Sequence, residues 1–187
     1  AIYSLIKEIL ITENEVKRLV ERIASKILED HRNSKEINLV VVLEGAKTFC
    51  SDLAKAIKAR SNIKINQHCI KVESYGSNTM GGNISLKKGI KNIAGKNLII
   101  IEDIVDTGRT INFLISYLKN VKKAKEVKVC SLLSKPARRE VDIKIDYLGT
   151  EVPNVFVVGY GLDWAGKFRE LPYVASIDES KLNNIKK

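Results

Sequence analysis

The sequence predicts an α/β fold with a doubly wound, mainly parallel sheet, and three observations lead to this prediction. Continuous apolar runs of strand length occur at residues 39–43 and 98–101, as is typical of strands covered on both faces. Segments with apolar residues at helical spacing alternate with strand patterns along the chain. The 187 residues, 44% of them hydrophobic and 29% charged, are enough for one globular domain with its own core.

Helix and strand patterns alternate regularly after residue 12. Thr12 is the predicted N-cap of the first helix, because Glu15 follows at the capping-box position, and apolar residues then recur at helical spacing to Leu28. Further helices are marked by apolar positions at 49–57 and 111–118, and strands are predicted at 39–43, 63–72, 98–101, 127–133, 143–148 and 155–158. Ligands of such sheets bind beyond the carboxyl ends of the strands, so the loops after these strands are the candidate site.

The balance of charged residues favours a partner that carries phosphate. Lysine and arginine total 32 against 22 acidic residues, which gives a formal net charge of +10. Such a charge suits nucleic acid, an anionic membrane face or a phosphorylated small molecule. No apolar run is long enough to span a membrane, and charged residues interrupt any signal-type segment near the N-terminus. Cys50, Cys69 and Cys130 are widely spaced and form no CxxC pair, which indicates reduced thiols in a cytoplasmic protein.

The strongest functional motif follows the apolar run at 98–101. Two adjacent acids, Glu102 and Asp103, precede a turn of small and polar residues that opens a helix. The residues of this turn are Asp106, Thr107, Gly108, Arg109 and Thr110. Backbone N–H groups at a helix N-terminus favour a phosphate, and the glycine permits close approach and a positive φ. Since paired acids suit vicinal sugar hydroxyls or hydrated Mg²⁺, the motif predicts a ribose 5-phosphate site.

This segment resembles the signature of type I phosphoribosyltransferases, which bind 5-phosphoribosyl 1-pyrophosphate. Ser134-Lys135-Pro136 and the stretch from Val155 to Leu171, VFVVGYGLDWAGKFREL, narrow the resemblance to the hypoxanthine-guanine phosphoribosyltransferases. The resemblance covers nearly the whole chain. It implies a single domain, 1–187, with a core at about 12–160 and a small hood formed by the termini at about 1–11 and 161–187.

The resemblance implies a purine-salvage transferase. The enzyme moves the phosphoribosyl group from its pyrophosphate to N9 of hypoxanthine or guanine, giving IMP or GMP and pyrophosphate. Glu102 and Asp103 then hold the ribose hydroxyls and contribute to Mg²⁺ binding, while the turn residues Thr107 to Thr110 hold the 5-phosphate. Asp106 is the implied catalytic residue, a general base toward the purine.

Further residues acquire roles from the same resemblance. Lys135 donates to O6 of the purine, Phe156 stacks on the base, and Val157 contacts the edge of the ring through its main chain. Asp163, which is also counted with the purine-binding residues, is a third Mg²⁺ ligand. Arg169 clamps the pyrophosphate.

The loop that follows Leu43 reads Glu44-Gly45-Ala46-Lys47. The family holds pyrophosphate with backbone N–H groups of this loop, often with a non-proline cis peptide between its first two residues. Glu44 departs from the family pattern, because many relatives carry lysine there. A carboxylate is unfavourable beside pyrophosphate unless its side chain points away, and Lys47 is a candidate to compensate. The assignment of Glu44 and Gly45 to pyrophosphate therefore depends on their backbone.

The segment 73–82 is polar and glycine-rich, and it separates two strand patterns. Connections of this length are often lids. The family closes this loop, which includes Ser74 and Tyr75, over the active site. We therefore expect a flexible lid here.

Other functions are weighed by the same residues. Lys135 argues against adenine, because lysine offers only donors and suits a 6-oxo group, and the stretch from Phe156 to Asp163 argues against orotate. Xanthine remains open as the acceptor. An RNA-binding regulator on the same fold is a further alternative, but the basic residues are spread along the chain without interleaved aromatic residues, so nucleic acid is not the expected partner. A homo-oligomer, a dimer or a tetramer, is expected from the resemblance alone.

Overall fold

A computed structural model describes residues 1–75 and 83–182 of the chain. The larger of its two sheets contains six strands: β2 (Glu36–Val42), β3 (Lys64–Tyr75), β4 (Asn83–Lys88), β5 (Asn97–Val105), β6 (Glu126–Ser134) and β7 (Tyr147–Glu151). Their order in the sheet is β4-β3-β2-β5-β6-β7. All neighbours pair in parallel except β4, which lies antiparallel to β3 at one edge. The predicted mainly parallel α/β sheet is confirmed.

Helices cover both faces of this sheet. The first, α1 (Glu13–Asp30), packs with α2 (Lys47–Lys58) on one face, and α3 (Arg109–Ser116) lies on the other, extended by a π-helical turn at Tyr117–Val121. The apolar run in β2 explains the two layers, because Leu39 and Val41 face the first helix pair while Val40 and Val42 face α3. None of the helices in residues 1–75 and 83–182 is long and apolar enough to cross a membrane.

The first helix begins where the capping pattern predicts. The Thr12 hydroxyl accepts a hydrogen bond from the Glu15 backbone N–H at 3.2 Å, and the Glu15 carboxylate accepts one from the Thr12 N–H at 3.1 Å. Two N–H groups that the helix itself leaves without acceptors are thereby satisfied. The sequence alone locates this helix start.

A second, smaller sheet joins both ends of the chain. It consists of β1 (Ile6–Ile11), β8 (Val157–Val158) and β9 (Val174–Ile177), all antiparallel in the order β1-β9-β8, and the short helix α4 (Glu179–Leu182) follows. A separate apolar cluster lies beneath it, with Leu5, Val158, Phe168 and Ile177 among its members. The predicted strand at 155–158 is thus shorter than expected and pairs in this small sheet rather than in the parallel one.

The strand predicted at 143–148 is wrong over its first four residues, since β7 begins at Tyr147. Ile143 and Ile145 are partly buried against the cluster on the α3 side, without strand pairing. Asp146 ties this segment to β6, because its N–H donates to Val129 O and its carboxylate accepts from Val129 N, each at 2.8 Å. The apolar alternation at 143–146 therefore arises from packing of an irregular segment.

Candidate active site

The residues predicted to bind ligands gather at the carboxyl ends of β2, β5 and β6, as the parallel topology requires. β5 extends to Val105, four residues beyond the predicted strand, so Glu102 and Asp103 lie within the strand. Lys135 follows β6 directly, and its backbone N–H donates to Val105 O at 2.9 Å. This hydrogen bond fixes the two strand ends relative to each other.

The turn after β5 surrounds a small cavity of about 80 Å³. Its lining includes the predicted residues Glu102, Asp106, Thr107, Gly108 and Thr110. Gly108 is the N-cap of α3 and has φ +89°, and an added Cβ would lie 2.7 Å from Val141 O. Glycine is therefore needed at this position for its conformation and for space. The Arg109 side chain forms an ion pair with Glu140 at 2.5 Å.

Glu102 and Asp103 form a pair of adjacent, largely buried carboxyl groups. Burial and the neighbouring Asp103 charge raise the pKa of Glu102 well above its ordinary value. Burial also raises the pKa of Asp103, although hydrogen bonds and the Arg169 charge act in the opposite direction. Ile104 N donates to Asp103 at 2.7 Å. The two carboxyl groups are suited to sugar hydroxyls or to a cation, because either would compensate for their lost hydration.

The loop after β2 offers backbone donors. A cis peptide bond joins Leu43 and Glu44, one position before the bond considered from the sequence. The N–H groups of Ala46 and Lys47 are used within the turn, by Val42 O and Glu44 O respectively. In the part of the chain that the structure describes, the N–H groups of Glu44 and Gly45 donate to no acceptor. The backbone donors predicted for an anion are thus reduced to these two.

The Glu44 side chain lies near a lysine from the adjacent strand. Its carboxylate is 4.0 Å from the Lys71 ammonium on β3, and both side chains are about half exposed. Lys71, rather than Lys47, is therefore the cation that accompanies this unusual carboxylate. The ion pair is the observed arrangement of a residue that sequence reasoning expected to point away from the anion.

The hood meets the loop after β2 through backbone contacts. A Cβ on Gly45 would overlap the Asp103 carboxylate, and a Cβ on Gly161 would overlap Gly45 O. Arg169 donates to Gly161 O at 2.7 Å and lies 3.3 Å from Asp163, whose carboxylate also accepts from Gly166 N at 2.8 Å. Gly161 thus lies between the pyrophosphate loop and the predicted clamp.

A second cavity, of about 350 Å³, lies between β6 and the hood. It is lined by all the residues predicted for the purine and for catalysis: Asp106, Lys135, Phe156, Val157 and Asp163. Lys135 is half-buried, and its ammonium has no partner among the described side chains. Ile104 and Asp106 line this cavity and also the smaller one at the turn. The two cavities are therefore adjacent, with Asp106 at their boundary.

The predicted lid is only partly described. Ser74 and Tyr75 belong to β3, where they are paired with Ile84 and Asn83 of β4. Residues 76–82 lie outside the described part of the chain. The flexible-lid prediction therefore stays a prediction.

Comparison with known proteins gives three concordant matches. The chain matches the phosphoribosyl transferase domain family over residues 7–164. It is 36% identical over 171 residues to the hypoxanthine-guanine phosphoribosyltransferase of Bacillus subtilis, covering 90% of this chain and 92% of the relative. The crystal structure of a hypoxanthine-guanine phosphoribosyltransferase from Bacillus anthracis matches with a TM-score of 0.82 and 38% identity, covering 92% of this chain and 99% of that one.

The chain belongs to the hypoxanthine-guanine phosphoribosyltransferase family. It is also 38% identical over 171 residues to the bifunctional protein TilS/HprT of Listeria monocytogenes, covering 90% of this chain. The chain spans only 26% of that relative's length. The family resemblance stated from the sequence motifs is confirmed.

Sequence reasoning missed three residues of this phosphoribosyltransferase site. Arg138 lines the larger cavity and contacts Asp106, Arg139 binds the backbone of the turn, and Glu140 pairs with Arg109. All three lie in a basic and acidic stretch after Pro136 that reads as solvated charge. The only signal in the sequence is their position directly after a strand end that carries Lys135.

Proposed function

We propose that this phosphoribosyltransferase transfers the 5-phosphoribosyl group from 5-phosphoribosyl 1-pyrophosphate to N9 of hypoxanthine or guanine. The observation that carries the proposal is the position of Asp106 at the boundary of two cavities. One cavity has the anion-binding turn of a helix N-terminus, and the other has a lysine and an aromatic side chain suited to an oxopurine. This arrangement places the reacting bond between sugar and base beside the carboxylate.

The proposed base recognition depends on Lys135 and Phe156. The unpartnered Lys135 ammonium would donate to the 6-oxo group, and Phe156 would stack on the ring, with Val157 at its edge. A 6-amino group is itself a donor, so adenine would leave the ammonium unpaired at a desolvation cost. A preference for xanthine is the alternative, because the 2-position is decided by contacts that this argument does not include.

Bond cleavage would occur at the anomeric carbon of the ribose. The bond to the pyrophosphate oxygen breaks, the bond to purine N9 forms, and the N9 proton passes to the Asp106 carboxylate. Arg169 and the N–H groups of Glu44 and Gly45 would stabilise the negative charge that develops on the pyrophosphate. Glu102 and Asp103 would orient the sugar through its hydroxyls.

The acidic residues fit Mg²⁺. Within the described residues, no group of three or more histidine, cysteine or acidic side chains is arranged to hold a metal ion. Mg²⁺ commonly takes only one or two carboxylates and completes its coordination with water and substrate phosphates, so Glu102, Asp103 and Asp163 are the candidate ligands. When bound with the donor, Mg²⁺ supplies charge neutralisation of the leaving pyrophosphate.

A Mg²⁺-dependent assay tests the proposal. Pyrophosphate release from the donor is followed with hypoxanthine, guanine, xanthine and adenine in turn, and we expect turnover with at least one 6-oxopurine and none with adenine. Absence of turnover with every base would reject the proposed function.

The role of Asp106 has its own test. Asp106→Asn keeps the shape of the side chain but removes the base, so we expect the fold to persist and kcat to fall by about 10²–10⁴. Asp142→Asn is the matched control, since Asp142 follows the turn-binding segment but lines neither cavity. Wild-type turnover in Asp106→Asn would exclude the carboxylate as the base.

We also propose the organisation of the whole protein. The chain would form one domain over 1–187, with its core at about 12–160, a hood at about 1–11 and 161–187, and the segment 73–82 as a lid. It would act in the cytoplasm as a homo-oligomer. Since the TilS/HprT relative is much longer than this chain, these proposals concern the phosphoribosyltransferase unit.

A further inference from the structure

The Asp106 carboxylate is held by an arginine that has no assigned role. Arg138 Nε lies 3.2 Å from Asp106 Oδ1, across a separation of 32 positions in the chain. Among the residues that the structure describes, this is the only side-chain contact of the carboxylate, so Oδ2 has no protein partner. Arg138 also lines the larger cavity together with Lys135 and Phe156.

The backbone around Arg138 is well defined. Residues Pro136–Arg138 form one turn of 3₁₀-helix, in which Arg138 N donates to Lys135 O at 3.1 Å. Side chains three residues apart eclipse in this helix type, and both Lys135 and Arg138 line the purine cavity. One turn therefore supplies two cations to the same cavity.

The next residue fixes this turn to the backbone that carries Asp106. Arg139 Nε donates to Asp106 O at 3.1 Å, and its Nη2 donates to Ser134 Oγ at 2.6 Å. The N–H groups of Glu140 and Val141 both donate to Thr107 O. Consecutive arginines thus hold Asp106 at two points, its carbonyl and its carboxylate.

We propose that Arg138 is a positioning residue that orients the Asp106 carboxylate, so that Oδ2 faces the purine while Oδ1 is held. This inference rests on the proposed function, because it assigns a cause to the geometry of the proposed base. A carboxylate without this partner rotates freely about its side-chain bonds, and proton transfer requires a defined position of the accepting oxygen. Arg138 would therefore act on kcat through Asp106.

A contribution to stability is a weaker explanation of the ion pair. The side chains of Arg138 and Asp106 are 52% and 44% exposed, and pairs as exposed as this one contribute little to folding. The anchoring of the turn is achieved instead by the backbone bonds and by Arg139. Removal of the Arg138 guanidinium should therefore leave the fold intact.

A double-mutant cycle tests the inference. The variants Arg138→Met, Asp106→Asn and the double variant are compared with wild type for kcat and for KM of donor and purine. We expect Arg138→Met to lower kcat about tenfold with donor KM nearly unchanged, and to lower kcat no further in the Asp106→Asn background. Arg138→Lys should recover most of the loss, since its ammonium can still donate to Oδ1. Thermal melting of each variant verifies the fold.

Arg60→Met is the matched control, because Arg60 also forms an exposed ion pair, with Glu21, and lines neither site cavity. A kcat of Arg138→Met equal to that of wild type or of the control overturns the inference. Independent losses that multiply in the double variant also overturn it, because Arg138 would then act directly on substrate. An inactive wild-type enzyme would instead reject the proposed function itself.

Discussion

Lys135 shows how a single side chain can set the choice of base. It is half-buried, it lines the cavity with Phe156, and its ammonium has no partner among the described side chains. A partly desolvated ammonium is costly until a ligand supplies an acceptor. The carbonyl oxygen of a 6-oxopurine is such an acceptor, so binding of the base would compensate for this cost.

We predict that Lys135→Met raises the KM for hypoxanthine about 10- to 100-fold, because a charged hydrogen bond contributes about 1.5–3 kcal/mol. The KM for the donor should be unchanged, since the methionine keeps the apolar part of the side chain and the anion sites are elsewhere. Steady-state kinetics with each substrate varied measures both values. Lys125→Met, at an exposed lysine outside the cavity, is the control. Equal hypoxanthine KM values in the two variants would contradict the role of Lys135.

At the scale of elements, the site depends on close approach of the hood to the loop after β2. Gly161 has φ +99° and packs on Gly45 O, whereas Gly166, in the same hood loop, has φ +79° and open space around it. An alanine is strained by about 1–2 kcal/mol at either position, but only at 161 would it also displace the neighbouring backbone. The two glycines therefore separate conformational strain from packing against the site.

We expect Gly161→Ala to lower the free energy of unfolding by about 1–3 kcal/mol more than Gly166→Ala does. It should also raise the donor KM about tenfold, because the N–H groups of Glu44 and Gly45 move with the displaced loop. Denaturant titration and donor kinetics on both variants measure these effects. If the variants match in both measurements, the contact of Gly161 with the loop is not needed for donor binding.

Patterns within one element were readable from the sequence, and contacts between distant residues were not. The Thr12 cap, the doubly covered β2 and the positive φ of Gly108 each follow from residues a few positions apart. The pairing of Arg138 with Asp106 depends on how two strand ends lie together in the folded chain. The Glu44–Lys71 pair likewise joins a loop to an adjacent strand, so the sequence suggested the wrong lysine, Lys47.

The boundaries of strands were the least readable part of the fold. Ile143 and Ile145 have the alternation of a strand but pack without strand pairing, because their segment is tied to β6 through Asp146 instead. Conversely, the charged residues of β1 and the short β9 give little periodicity, and their pairing is fixed by the chain ends meeting over the sheet. Tertiary context decides both cases.

At the scale of the whole molecule, the parallel sheet separates two large apolar clusters, one with α1 and α2 and one with α3. Cys50 and Cys130 both lie in the first cluster, at 1% and 0% exposure. Burial raises the pKa of Cys50 to about 12 and raises that of Cys130 further. Both thiols therefore stay neutral in the folded protein over a pH range in which an exposed thiol ionises.

This difference predicts a loss of stability in alkali. An unfolded thiol ionises above about pH 8.5, whereas the folded thiols keep their protons, so the unfolded state releases protons and is favoured as pH rises. The stabilising contribution is complete below about pH 8.5 and is lost as pH rises toward 12, by at most about 1.4 kcal/mol per thiol for each pH unit. Denaturant titrations at pH 7, 9 and 10 measure this slope. The Cys50→Ala variant should be less stable at pH 7 because of its cavity, but its stability should fall less steeply with pH. Parallel pH profiles for the variant and wild type would show that Cys50 does not contribute to the alkaline loss.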